Sequence, residues 1–240
     1  MLAPTMLENT KYYELTECCW CAIAQLIPPN PQGNPYLSSD NNTLALQRLG
    51  VRQLCGELLS HLKIQDELDD SKYPYRLNRS GYYVCFSHSK DYVAVILHSQ
   101  HPVAIDLEMV DVSLAVAARF YHEDDLLQLQ QIAPKQQANV CRLLWQLKEC
   151  VVKIQQTLLI PTLGQNHATY VTSFAQLLAL NSLSHLRSAS NLNNDITLSS
   201  DRDPNCDSYQ DFTQLNQLMT LNAMDYHLAV LQNPNVIVIY

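Results

Sequence analysis

The spacing of hydrophobic residues changes along the chain and predicts both helices and strands. Residues 43–63 carry leucines at three- and four-residue intervals, which is typical of an amphipathic helix. Residues 82–86, 92–98 and 102–110 are short apolar runs bounded by polar segments, and this pattern indicates strands. Residues 17–27 fit either a strand or a buried helix, because periodicity does not separate the two in so short an apolar run.

The second half of the sequence reads mainly as helix, followed by a final hairpin. A helical pattern starts at about Val112, breaks near Pro134 and resumes over residues 139–159. Residues 226–232 and 236–240 are apolar and predict two paired strands around an Asn-Pro turn. Strands and helices in this order predict an α+β fold.

Three further segments are less regular. Residues 66–81 are polar and predict an irregular connection, and residues 163–180 remain ambiguous between helix and loop. Residues 181–211 are rich in Asn, Ser and Asp, and we expect them to form an exposed excursion from the fold.

Composition narrows the classes of function. The formal net charge of −8 and the absence of a basic cluster argue against nucleic-acid binding, which requires Lys and Arg facing phosphates. The N-terminus lacks the pattern of a signal peptide, and no apolar run is long enough to span a membrane. The eight cysteines are expected to be reduced thiols packed as small hydrophobic residues rather than ligands of a zinc site. We therefore expect a soluble cytoplasmic protein.

An acidic pair stands out in the third predicted strand. Asp106 and Glu108 lie two residues apart, so both carboxylates point to the same face of the strand. Neighbouring carboxylates repel each other unless a cation or water offsets their charge, and Mg²⁺ prefers such oxygen ligands. The alternative is an edge strand with a solvated acidic face.

A second pattern lies in the long predicted helix. Trp145, Glu149 and Lys153 recur at four-residue intervals and therefore share one helical face. Most other faces of this segment are apolar, so we expect the acid and the base to line a site. The alternative is an ordinary exposed Glu–Lys pair.

A third pattern lies between the first two of these strands. Ser87, His88 and Ser89 are expected in a tight turn, where hydroxyl, imidazole and amide groups can bind an anion. The alternative is a hairpin turn with solvated polar tips.

The motifs FSHS, PVAIDLE, RFYHEDD and LWQLKECVVK follow one another in this order. Together they resemble the 4′-phosphopantetheinyl transferase superfamily, and the resemblance is continuous from Tyr82 to Lys153. The sequence departs from the family pattern at Ala104 and Lys90, where most members have glycine. Its length is similar to that of the larger, surfactin-type branch.

This resemblance implies a fold of two similar α/β halves that form a pseudo-dimer, with the active site in the cleft between them. The halves would be residues 1–100 and residues 101–240, and the second would carry the metal and catalytic residues. Such a chain is expected to act as a monomer.

The resemblance also implies a reaction. The enzyme would transfer 4′-phosphopantetheine from coenzyme A to a serine of an apo acyl or peptidyl carrier protein and release adenosine 3′,5′-bisphosphate. Asp106, Glu108 and Glu149 would bind Mg²⁺, Glu149 would also act as the base, and Lys153 would stabilise charge on the pyrophosphate. The residues implied in coenzyme A binding are Ser87, His88, Ser89, Lys72, Arg76, Arg48, Arg52 and Lys148.

The carrier proteins of this family are usually acidic, as is this chain, so long-range attraction between them is not expected. Docking would instead use a local apolar patch with Arg119, Lys135 or Arg142. Two other functions stay open at this stage. The same carboxylates could serve a Mg²⁺-dependent phosphohydrolase acting on coenzyme A or a related nucleotide, or the chain could be an inactive coenzyme A-binding relative.

Overall fold

The computed structural model describes residues 7–27, 40–190, 217–221, 224–231 and 236–240. Within these residues the fold is mixed α+β, with helices packed against two antiparallel sheets, which confirms the predicted fold class.

The first sheet takes all its strands from the first hundred residues. Its strands run antiparallel in the order β1-β2-β6-β5-β4-β3. They are β1 (Leu7–Thr16), β2 (Cys19–Leu26), β3 (Leu68–Asp69), β4 (Tyr75–Leu77), β5 (Tyr83–Ser89) and β6 (Tyr92–His98). The predicted strands near residues 82–86 and 92–98 are thus confirmed, and the ambiguous segment 17–27 is a strand.

Both faces of the first sheet are covered. Helix α1 (Asp40–His61) packs on one face, where Val93, Val95 and Leu97 of β6 point toward it. Ala94 and Ile96 point to the other face and join the core shared with the rest of the chain. Because side chains alternate along a strand, a strand buried on both faces has no polar positions, and this explains the continuous apolar run of β6.

The second sheet is built after residue 100. Its four antiparallel strands lie in the order β7-β10-β9-β8, and β9 and β10 form the predicted C-terminal hairpin. They are β7 (Ala104–Leu107), β8 (Gln217–Leu221), β9 (Met224–Leu231) and β10 (Val236–Ile239).

Five helices follow β7 in the part of the chain from residue 108 to residue 190, which the structure describes. They are α2 (Leu114–Phe120), α3 (Glu123–Gln130), α4 (Pro134–Gln155), α5 (Leu159–Leu163) and α6 (Ala168–Ser190). Helix α4 faces the second sheet, where it contacts β7 and β10. No helix in the described part of the chain is long and apolar enough to cross a membrane.

Two expectations for the helices need correction. The predicted break near Pro134 lies at residues 131–133, but the helix resumes at residue 134 and not at residue 139. Pro134 is the first residue of α4, a position where its missing N–H and fixed φ are tolerated. Helix α6 continues through residue 190, so the first ten residues of the predicted excursion 181–211 are helical. The remainder of that segment lies outside the described residues.

Candidate functional site

A cleft of about 590 Å³ opens where β5 of the first sheet meets β7 of the second. Helix α1, the segment before β5 and helix α4 form its other walls. Its polar and aromatic lining residues are Arg48, Arg52, Tyr73, Tyr75, Phe86, Ser87, His88, Asp106, Glu108, Trp145, Glu149 and Lys153.

Asp106 lies at the centre of a polar network in this cleft. Its side chain is 10% exposed, and Oδ1 accepts hydrogen bonds from Ser87 Oγ at 3.1 Å and Lys153 Nζ at 2.8 Å. The backbone carbonyl of Asp106 accepts a hydrogen bond from Gln146 Nε2 at 3.1 Å. Strand β7 and helix α4 are therefore joined at this residue from both its side chain and its backbone.

Lys153 reaches β7 from the last turn of α4. Its Nζ donates to the Ile105 carbonyl at 2.7 Å in addition to the Asp106 carboxylate. Burial alone would lower the pKa of Lys153, but the Asp106 carboxylate raises it above the ordinary value for lysine. The ammonium is therefore charged at neutral pH and fixed in the cleft.

Glu149 lies one turn before Lys153 on the same face of α4, as its four-residue spacing predicted. Its carboxylate is half-buried and accepts a hydrogen bond from the Trp145 side chain. Burial raises the pKa of Glu149, and the negative charges of Asp106 and Glu108 raise it further, against the opposing effect of Lys153. This carboxylate is thus more basic than an exposed glutamate.

Ser87, His88 and Ser89 were expected in a turn, but they form the end of strand β5. The turn to β6 consists of Lys90 and Asp91 alone, and Lys90 adopts a left-handed conformation with φ of 52°. Lys90 stands where the family pattern that this sequence resembles has glycine, the residue that adopts a left-handed conformation most readily. Because the strand continues to residue 89, Ser87 and Ser89 point to the same side, toward β7.

Ser89 and Glu108 repeat the arrangement seen at Ser87 and Asp106. Ser89 Oγ donates to Glu108 Oε1 at 2.7 Å, and the same carboxylate oxygen accepts the Val110 amide at 2.8 Å. Asp106 and Glu108 thus both point toward the cleft edge, as the strand alternation predicted.

His88 and Arg48 bring nitrogen donors to the same cleft. Burial lowers the pKa of His88, and the positive charges of Lys153 and Arg48 lower it further. Arg48 is exposed on α1. Arg52 also lines the cleft, but its guanidinium pairs with Asp70.

Several residues implied in coenzyme A binding do not line the cleft. Lys72 is exposed outside it, and Ser89 contacts Glu108 instead. The guanidinium of Arg76 lies 3.9 Å from the ring centroid of Tyr83 and donates to its hydroxyl.

Among the residues that the resemblance implied in coenzyme A binding, Lys148 lies in the position least suited to that role. Its side chain is fully buried on another side of α4, where Nζ lies 2.8 Å from Asp125 Oδ2 and donates to the Gln165 carbonyl at 2.5 Å. Consecutive helical residues differ by about 100° in direction, so Lys148 cannot share the face of its neighbour Glu149. The structure therefore corrects the prediction that Lys148 binds coenzyme A.

Aromatic residues of the cleft were missed by the sequence analysis. Tyr73, Tyr75 and Phe86 contact one another in series, with ring centroids 5.3 Å and 5.7 Å apart. The Tyr73 hydroxyl donates to the Lys153 carbonyl at 2.9 Å. The available signal was the Tyr-Pro-Tyr sequence at residues 73–75, an aromatic cluster inside an otherwise polar segment.

The donor chemistry of the cleft fits a small hard cation. Asp106, Glu108 and Glu149 all line the cleft, and burial together with the charges of the other two acids raises the pKa of Glu149. A cation between them would offset those charges, and Mg²⁺ is bound by such oxygens together with water and phosphate. Among the residues that the structure describes, no three acidic, histidine or cysteine side chains are already gathered around one point.

Part of the chain is similar to a curated protein of known activity. It is 35% identical over 68 residues to the 4′-phosphopantetheinyl transferase gsp of Aneurinibacillus migulanus. The matched segment covers 28% of this chain and 28% of that relative. The sequence matches no profile of an established protein family.

Proposed function

We propose that this protein transfers the 4′-phosphopantetheine arm of coenzyme A to a serine hydroxyl of an apo carrier protein. The observation that carries this proposal is the cleft itself. Residues from three separate sequence motifs, on β5, β7 and α4, meet there as three carboxylates, one lysine and one histidine. The partial similarity to a 4′-phosphopantetheinyl transferase supports the same reaction.

Glu149 is the residue we assign as the base. It lines the open space of the cleft, and burial and the negative charges of Asp106 and Glu108 raise its pKa there in the absence of a cation. Bound Mg²⁺ would lower that pKa, so Glu149 would act on the hydroxyl directly or through a water. It would accept the proton of the carrier serine hydroxyl as the serine oxygen attacks the phosphorus that bears the pantetheine arm. The bond from this phosphorus to the nucleotide side of the pyrophosphate breaks, and adenosine 3′,5′-bisphosphate leaves.

Lys153 supplies fixed positive charge beside the reacting group. Its ammonium is held by the Asp106 carboxylate and the Ile105 carbonyl, so it needs no reorientation during the reaction. A preorganised charge of this kind stabilises the charge that develops on the pyrophosphate oxygens. Asp106, Glu108 and Glu149 would hold Mg²⁺, which when bound would neutralise further negative charge on the same oxygens.

The nucleotide end of coenzyme A is assigned to His88 and Arg48. Both reach the cleft from the first half of the chain, whereas the carboxylates and Lys153 come from the second half. This division fits a pseudo-dimer of the surfactin-type branch, in which one chain forms the whole site as a monomer.

The carrier protein is proposed to dock beside β7 and α2. Arg119 on α2 and Lys135 at the start of α4 are exposed, as are the apolar side chains of Val110 and Val116. Arg142 contributes less, because its guanidinium is already paired with Asp111 at 3.1 Å. Local contact of this kind would offset the repulsion between two acidic proteins.

Mass spectrometry of several apo-carrier proteins, incubated with the protein, coenzyme A and Mg²⁺, tests the reaction directly. A mass gain equal to phosphopantetheine on a carrier serine is the expected result. Asp106→Ala should abolish the gain in a protein that remains folded. The proposal fails if no carrier is modified, and release of phosphate or phosphopantetheine without a carrier would indicate a phosphohydrolase instead.

A further inference from the structure

The two serines at the end of β5 make the same pair of contacts with the second half of the chain. Ser87 and Ser89 donate their hydroxyl protons to Asp106 at 3.1 Å and to Glu108 at 2.7 Å, respectively. Each hydroxyl oxygen also accepts the amide of the residue that follows that acid, at 3.0 Å in both cases. One two-residue unit is thus repeated along two neighbouring strands.

These contacts take the place of backbone pairing. Ser87 contacts residues 106 and 107, and Ser89 contacts residues 108 and 109. Residue numbers increase together along both segments, so the two segments run in the same direction at this point. Backbone hydrogen bonds join each strand to others within its own sheet, whereas the serine side chains connect the two sheets. The spacing of the two acids is therefore matched to the spacing of the two serines.

We propose that Ser87 and Ser89 are positioning residues that orient the Asp106 and Glu108 carboxylates, rather than ligands of the nucleotide phosphate. This inference rests on the proposed function and refines the roles within its site. The chemical reason is that a serine hydroxyl has a single proton. Both protons are already donated to carboxylates, so neither serine has one to donate to a phosphate anion.

The orientation has a direct consequence for cation binding. Each serine bonds one carboxylate oxygen, Oδ1 of Asp106 or Oε1 of Glu108, and so fixes the direction of the second oxygen. Without the hydroxyl, Asp106 would be held by Lys153 and Glu108 by the Val110 amide, and each carboxylate could rotate about that single contact. The serines are therefore expected to influence Mg²⁺ binding and to leave recognition of the 3′-phosphate unchanged.

Single Ser87→Ala and Ser89→Ala variants test this role through two separate readouts. The first is the Mg²⁺ affinity, measured by calorimetry and as the Mg²⁺ concentration for half-maximal transfer. We expect each variant to lose about tenfold in affinity, in line with a hydrogen bond to a charged group. The second is the preference for coenzyme A over 3′-dephospho-coenzyme A, which should stay at the wild-type value.

The chain offers matched controls. Ser80 donates to the Asp66 carboxylate at 2.7 Å outside the cleft, so Ser80→Ala removes a similar bond and should leave both readouts unchanged. His88→Ala is the positive control for the second readout and should reduce the preference for the 3′-phosphate. Ser87→Thr and Ser89→Thr keep the hydroxyl and should restore Mg²⁺ affinity. Urea unfolding of each variant verifies that it is folded.

The outcomes separate the two roles. Loss of the 3′-phosphate preference with unchanged Mg²⁺ affinity would make the serines nucleotide ligands and overturn the inference, as would no change in either readout. If wild-type protein modifies no carrier, the proposed function fails, and the calorimetric titration of Mg²⁺ alone decides the positioning role. Equal Mg²⁺ affinity of wild type and both alanine variants would then overturn it.

Discussion

At the level of single side chains, the charge of the Asp106 carboxylate acts on both Glu149 and Lys153 of α4. This carboxylate raises the pKa of Lys153 and, together with burial, that of Glu149. Lys153 therefore stays charged, and Glu149 is more basic than an exposed glutamate as long as no cation is bound. Four-residue spacing predicted that Glu149 and Lys153 share one helical face, whereas their position beside Asp106 was implied by the family resemblance.

Glu149→Gln removes the basic carboxylate while keeping its size. We expect the transfer rate at saturating carrier to fall by roughly 10²–10⁴-fold, the usual effect of losing a general base. Lys153→Ala should raise the coenzyme A requirement and slow the chemical step by more than tenfold. Steady-state and single-turnover kinetics measure both effects.

The control for these variants is Glu57→Gln on α1, which changes a half-buried glutamate outside the cleft and should leave transfer unchanged. A double variant at Glu149 and Lys153 should lose no more than the sum of the single losses in activation free energy, because the two residues act in one site. Near-normal rates in both single variants would contradict the mechanism.

At the level of secondary structure, helix α4 presents charged residues in two different environments, one on each side. The face carrying Glu149 and Lys153 borders the cleft, whereas Lys148 points into the core and pairs with Asp125 of α3. Four-residue spacing was enough to predict the first face. The second face could not be predicted, because the partner of Lys148 lies 23 positions earlier and no local pattern joins the two residues.

Lys148→Met leaves the Asp125 carboxylate buried without its cation. We expect the free energy of unfolding to fall by about 3–5 kcal/mol, because an unpaired buried charge is strongly unfavourable. The double variant Lys148→Met/Asp125→Leu removes both charges and should recover most of this loss. Urea denaturation followed by circular dichroism measures each difference. A loss under about 1 kcal/mol in the single variant would show that the pair is solvated in solution.

We expect the buried His167 side chain to make the free energy of unfolding depend on pH. Burial and the nearby Lys148 ammonium lower the pKa of His167 from 6.5 to about 4. Between these values the unfolded chain binds a proton that the folded protein excludes, so stability is complete above about pH 6.5 and falls as the pH decreases toward 4. His167→Gln should flatten this part of the stability curve, measured by urea unfolding from pH 4 to 7.

The two sheets that the structure describes meet through side chains rather than through backbone pairing. Residue patterns predicted helices α1 and α4 and five of the ten strands that the structure describes, β5, β6, β7, β9 and β10, because those depend on neighbours a few positions away. The segment 66–81 was expected to be irregular but contains β3 and β4. The serine contacts between β5 and β7, and the contact of Tyr73 with α4, join positions 19 to 80 residues apart. Nothing in the local pattern specifies such contacts, so the architecture of the cleft emerged only from the folded chain.

Tyr73 is the residue through which the segment before β5 holds the end of α4. Its hydroxyl donates to the carbonyl of Lys153 in the final turn of the helix, where the last four carbonyls have no partner within the helix. Tyr73→Phe keeps the ring packing and removes this hydrogen bond alone. We expect the free energy of unfolding to fall by about 1 kcal/mol and the coenzyme A requirement to rise modestly, because Lys153 loses part of its support.

Tyr75→Phe is the matched control, since Tyr75 belongs to the same aromatic series and lines the same cleft. Urea unfolding and transfer kinetics of the two variants, measured side by side, separate the hydrogen bond from the loss of a phenol. If Tyr73→Phe and Tyr75→Phe behave alike, the bond to α4 contributes nothing specific. A larger effect at Tyr73 in both measurements shows that a contact between the two halves supports the position of Lys153, which links the stability of the whole molecule to the chemistry of its cleft.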